Sequence, residues 1–190
     1  MRRVARTSLF SLIALATSLA CSSGPAANEQ FDPPKNDAVL TATSRQTKFH
    51  AEKEIVEKTP IPDDVRSLIL KSQPLPDECS SSPEGFDECF SASEIDLRND
   101  DRPDLVVQAV GSAMGANVTM FYVFAGGPAG YELALNLPAL ELSFEEPEDG
   151  GPLEAVTGVA TATKFSSQRF MLADGKYKIV DRKVEEIGGK

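Results

Sequence analysis

Histidine is almost missing from this 190-residue chain: His50 is the only one. A Ser-His-Asp arrangement would have to use it. In the polar stretch Lys48-Phe49-His50-Ala51-Glu52 it reads as a surface side chain. Cysteine is scarce too, with Cys21, Cys79 and Cys89 alone. A soft-metal site would want more Cys or His than that. Nucleophile-elbow, phosphate-loop, dinucleotide and zinc-protease patterns are all absent. Enzyme chemistry therefore has little to stand on. Basic residues are outnumbered, 19 against 29 acidic, for a formal net charge of −10. That excludes the basic patches with which proteins displace counterions from nucleic acid. Long apolar runs are missing as well. Residues 9–19 form an eleven-residue apolar stretch that includes Ser11, Thr17 and Ser18. A membrane-spanning helix needs about 20 predominantly apolar residues.

What is present begins with the leader. Arg2, Arg3 and Arg6 precede the apolar stretch, and Ser18-Leu19-Ala20-Cys21 follows, then the polar Ser22-Ser23-Gly24-Pro25. A basic start and a short apolar core are the parts of an export signal. The arrangement resembles a bacterial lipoprotein signal, with the preferred Leu and small residue ahead of Ala20 interchanged. The resemblance implies cleavage after residue 20 and acyl chains on Cys21, which becomes the mature N-terminus. An ordinary secretory signal cleaved near Ala20 would instead leave Cys21 an unmodified thiol. Ser22 in place of aspartate favours the outer membrane, where the host has one.

Removing residues 1–20 takes away three basic and no acidic residues, leaving 16 against 29, a net −13. A polybasic grip on anionic lipid is then excluded, and membrane attachment rests on Cys21. Residues 21–46, with Pro25, Pro33 and Pro34 among small polar residues, read as a disordered tether. In an exported chain, Cys79 and Cys89 closing a short polar loop read as a disulfide.

The remaining residues, 47–190, suffice for one domain. Pro62, Asp63 and Asp64 suit the first turn of a helix over 62–71, with Val65, Leu68 and Ile69 on one face. From Ser91 onward the period falls to two. Val118, Met120, Tyr122 and Phe124 alternate over 117–124, and Tyr131, Leu133, Leu135 and Leu137 over 131–137. Asp174-Gly175 between alternating segments marks a hairpin. The expected fold is mainly β (α+β with one short helix): an antiparallel meander packed against an N-terminal helix. One face of the sheet is expected to be buried and the other largely solvated.

One loop has the makings of a site. Residues 96–107 run Asp96-Leu97-Arg98-Asn99-Asp100-Asp101-Arg102-Pro103-Asp104-Leu105-Val106-Val107. This resembles the single acidic loop of FG-GAP/VCBS-like repeats, whose D-x-N-x-D-G-x-x-D-L pattern wraps calcium with alternating oxygen ligands. The resemblance implies Asp96, Asp100 and Asp104 as calcium ligands. Arg98 stands where an Asn or Asp ligand is expected, and Asp101 where a glycine eases the turn. Arg98 could pair with Asp96 or Asp100 and take the metal's place. More loosely, residues 90–180 resemble exported bacterial proteins that carry one such loop ahead of a strand meander.

The functional expectation is an envelope-anchored, non-catalytic lipoprotein whose domain binds an envelope protein or plays a structural role. A calcium-dependent binding module and a periplasmic hydrolase inhibitor are the alternatives.

Overall fold

A strand-rich chain with one strong amphipathic helix must find cover for both kinds of apolar face, and here it does so in three layers. The computed structural model describes residues 46–115 and 117–187, all within one compact unit. Strand residues outnumber helical ones, 48% against 17%, so the mainly β expectation holds.

The elements run β1 (Lys48–His50), α1 (Asp63–Ser72), α2 (Asp77–Ser80), α3 (Pro83–Cys89), β2 (Phe90–Ile95) and β3 (Asp104–Ala109). After a 3-10 turn at Gly111–Ala113 come β4 (Thr119–Gly127), β5 (Gly130–Ala139), β6 (Glu141–Glu145), β7 (Glu154–Ala160), β8 (Lys164–Ala173) and β9 (Lys176–Glu186). Every strand pairing is antiparallel. The strands form two sheets rather than one, a four-stranded sheet β2-β3-β4-β5 and a five-stranded sheet β1-β6-β7-β8-β9.

The four-stranded sheet is the middle layer. On one side Leu105, Val107, Tyr122 and Phe124 pack against Val65 and Ile69 of α1 and Phe86 of α3. On the other, Val106, Phe121 and Val123 meet Phe49, Leu142, Phe144 and Phe170 of the five-stranded sheet. All six residues of β3 are consequently buried. This corrects the expectation of a solvated second face: the five-stranded sheet covers it. Each large apolar side chain fully buried in this way contributes about 1.5–3 kcal/mol.

Helix α1 forms where the sequence places it. Pro62 precedes it in extended backbone, Asp63 and Asp64 occupy the first turn and Lys71 the last, and Gln73 leaves it ahead of Pro74. Asp64 also accepts the Tyr131 amide at 3.2 Å, which ties the helix start to β5. The segment between the two cysteines is helical rather than a polar loop, a second correction. Ser82 accepts the Gly85 amide at 3.1 Å and Pro83 takes the first position of α3, the pairing that starts helices. Arg66 of α1 reaches Asp87 at 3.1 Å and lies 5.2 Å over the Phe86 ring, joining α1 to α3.

Two bulges break the regular alternation. In β5, Val123 pairs with Leu135 and Phe124 with Leu133, which leaves Ala134 as the extra residue. Tyr131 and Leu133 therefore face the helices, while Leu135 and Leu137 face the five-stranded sheet. The second bulge is in β9, where Val180 is extra. Asp174 and Gly175 form the β8–β9 turn with φ of 53° and 72°, the paired positive φ of a type I′ hairpin.

Candidate functional site

The acidic loop joins β2 to β3 and is held by its own side chains. Asn99 and Asp101 both lie in the left-handed region, with φ of 55° and 58°. Asp101 thus takes the conformation for which the resembled pattern keeps a glycine. Asp96 turns inward on the loop backbone. It accepts the amides of Arg98 at 3.3 Å, Asp100 at 3.1 Å and Asp101 at 3.0 Å. Asp100 is held from outside, accepting the Arg102 amide at 3.1 Å and the Arg102 guanidinium at 3.0 and 2.6 Å. The Arg102 hydrogen bond keeps the Asp100 carboxyl below the usual carboxylate value, with a lesser pull from the charge of Arg98.

Asp104 is the fully buried member. One oxygen accepts the Leu97 amide at 2.9 Å. The other accepts the Gly126 amide and the Arg98 guanidinium, both at 2.7 Å. Burial pushes its carboxyl above the usual range, against the pull of the Gly126 and Leu97 amides and of Arg98. All three partners donate, so the ionised form is the one that fits the loop. Arg98 also donates to the Gly126 carbonyl and lies 3.5 Å from Asp100. The loop is thereby clamped to the end of β4 through both backbone groups of one glycine. A Cβ at Gly126 would stand 2.2 Å from the Pro103 carbonyl, so only glycine allows this approach.

The structure brings Asp96, Asp100 and Asp104 into one loop but gives each a different partner. A guanidinium already lies against Asp104 and Asp100, where a calcium ion would need their charge. Among the described residues no group of three or more His, Cys, Asp or Glu side chains is placed to hold a metal. A calcium ion held by these carboxylates would have to displace Arg98 from Asp104 and Asp100. Gly126 and Leu97 were not singled out from the sequence. The Gly126-Gly127 pair was the available signal, and it reads as a turn, whereas both residues belong to β4.

The loop also touches the connection between β6 and β7. Leu97 accepts the Leu153 amide at 2.7 Å, and Asn99 donates to the Gly151 carbonyl at 3.3 Å. Nearby, a cleft of about 430 Å³ is lined by Glu146, Glu148, Asp149, Arg169, Met171 and Leu172 among others. Arg169 there pairs with Glu145 at 2.8 Å and with Glu154. These partners, Glu154 first, push its pKa up. His50 stands apart, its Nδ1 accepting the Glu52 amide at 3.1 Å.

Cys79 and Cys89 are bonded to each other and buried in the apolar cluster between the helices and the four-stranded sheet, with Ser112 Oγ 3.4 Å from each sulfur. Cys21 and the leader lie outside the described residues. No family model, no curated protein and no solved structure matches the chain.

Proposed function

We propose that this is an exported protein, anchored through acyl chains on Cys21 and favouring the outer membrane, whose domain acts as a non-catalytic binding or structural module at the cell envelope. The observation that carries the reading is the buried Cys79–Cys89 bond. Such bonds persist in oxidising compartments outside the cytosol, in keeping with the export signal before Cys21. The closed acidic loop adds support, since Asp96, Arg98, Asp100, Arg102 and Asp104 are engaged in holding it together.

Membrane fractionation of the wild type and of Cys21→Ala, with fatty-acid labelling, tests the anchor. The wild type takes label and sediments with membranes; the variant takes none and is released after export. A variant still in the membrane fraction would overturn the assignment. Turnover of a hydrolase substrate panel, abolished by one point change, would overturn the non-catalytic reading.

Calcium-dependent binding is the second reading, favoured by the presence of three carboxylates in one loop and opposed by Arg98. Thermal melts with calcium and with chelator separate the two. A midpoint unchanged across millimolar calcium removes the ion.

A further inference from the structure

Strand β9 ends the five-stranded sheet, and among the described residues no strand pairs with its outer edge. The other three sheet edges differ. Thr59 bridges to Ala92 and covers part of β2, β5 has α1 and the start of β9 beside it, and β1 is only three residues long. β9 has eleven residues, about twice the usual strand. Beyond Tyr177 every one of them is exposed, with Ile179 at 59% and Val184 at 55%. A long edge with exposed aliphatic side chains is a template for another strand.

We infer that the β9 edge pairs antiparallel with β9 of a second copy of this chain, joining two five-stranded sheets into one. The charge order of the strand selects that occupant. Lys176 and Lys178 lie at its start, Glu185 and Glu186 at its end. Antiparallel pairing of two copies sets each lysine end against the other copy's glutamates, whereas parallel pairing sets like against like.

The bulge supplies the register. Lys178 pairs with Met171 of β8 and Glu185 with Phe165, so both point to one face. Ile179 pairs with Phe170 and Val184 with Ser166, so both point to the other. In an unbulged strand, residues five or seven apart would point to opposite faces. With Val180 left unpaired in each copy, a two-fold axis through Arg182 sets Asp181 opposite Lys183, Ile179 opposite Val184 and Lys178 opposite Glu185, each pair on a common face, and leaves Arg182 opposite its own symmetry mate. Such a two-fold is the commonest symmetry of soluble oligomers.

Sedimentation and zero-length amine–carboxyl cross-linking of the purified full chain test this. A dimer is expected, with a cross-linked Lys178–Glu185 peptide in the dimer band. Within one chain these residues are six ladder positions apart, roughly 20 Å along the strand at about 3.3 Å per position, so the link can only be intermolecular. Lys178→Glu is expected to weaken the dimer about tenfold or more, because two symmetric pairs turn repulsive. Lys178→Glu with Glu185→Lys is expected to restore it. Both sites are exposed, so the thermal midpoint of the fold should hold in each variant. A monomer at every soluble concentration overturns the proposal. So does a dimer that ignores the charge swap. A monomer whose Val184→Cys thiol resists alkylation would assign the edge to another segment of this chain. A monomer that is freely alkylated until a different envelope protein binds would assign it to that protein.

Discussion

Replacing Arg98 by methionine removes the guanidinium while keeping an unbranched apolar stem over the loop. Three interactions go: the 2.7 Å bond to Asp104, the bond to the Gly126 carbonyl and the ion pair with Asp100. Asp104 stays buried as a carboxylate with only the Leu97 and Gly126 amides for compensation. Breaking a fully buried pair costs about 3–5 kcal/mol. The Arg98 side chain is 24% exposed, so water recovers part of that, and about 2–3 kcal/mol remains. For a domain of this size the melting midpoint should fall by roughly 6–10 °C. Asp104→Asn should cost more, about 3–5 kcal/mol, because its new amide group must face a donor where an acceptor stood. Urea unfolding of both single variants and the double variant measures the coupling, expected at about 1.5–3 kcal/mol. A loss under about 0.5 kcal/mol for Arg98→Met, or strict additivity, would refute the view that Arg98 neutralises the loop from within.

Three other perturbations probe the remaining layers. Replacing Cys79 and Cys89 together by alanine should cost about 3 kcal/mol, read by urea unfolding, since the bond closes a loop across ten residues; an unchanged midpoint would make the bond incidental. Gly126→Ala places a methyl group against the Pro103 carbonyl and should lower stability by about 1–3 kcal/mol, whereas Gly127→Ala, whose Cβ would meet nothing nearer than the Gly130 carbonyl at 3.5 Å, should cost less. Burial pushes the phenols of Tyr122, Tyr131 and Tyr177 above their ordinary value of 10.0. The folded state therefore holds these protons more tightly, so their contribution is complete below pH 10.0 and is lost as pH rises beyond it. Near-ultraviolet phenolate absorbance followed alongside circular dichroism checks this; phenolate appearing in full while the fold persists would contradict the burial.

The sequence was most legible where local chemistry decides. Helix α1 follows from Pro62, the two aspartates and the spacing of Val65 and Ile69, and the β8–β9 turn from Asp174-Gly175. Both depend on neighbours within a few residues. Helix α3 carried its signal too, in Ser82-Pro83, but seven residues are too few to show a helical period. The alternation of Tyr131, Leu133, Leu135 and Leu137 was clear, yet it promised one face where the structure has two. A bulge is set by the partner strand, and nothing inside β5 announces the extra residue. At the loop, the sequence exposed Asp96, Asp100 and Asp104 and the anomaly of Arg98. It offered Asp96 or Asp100 as the partner of Arg98; Arg98 does pair with Asp100 at 3.5 Å, but its shortest contact with a carboxylate, 2.7 Å, is with Asp104.

By itself, then, the chain's sequence determined the β-rich class, the lead helix, the hairpin turn, the pairing of two cysteines and the carboxylates of the acidic loop. These follow from period, turn chemistry and composition, which act over short distances along the chain. Only the tertiary structure decided that the strands divide into two sheets, that β3 is covered on both faces and that Arg98 closes onto Asp104 and Gly126. A two-residue period tells which side chains share a face, but not what will cover that face. Gly126 lies 28 residues from Arg98 and 22 from Asp104, and a meeting over such spans is settled by how the layers stack.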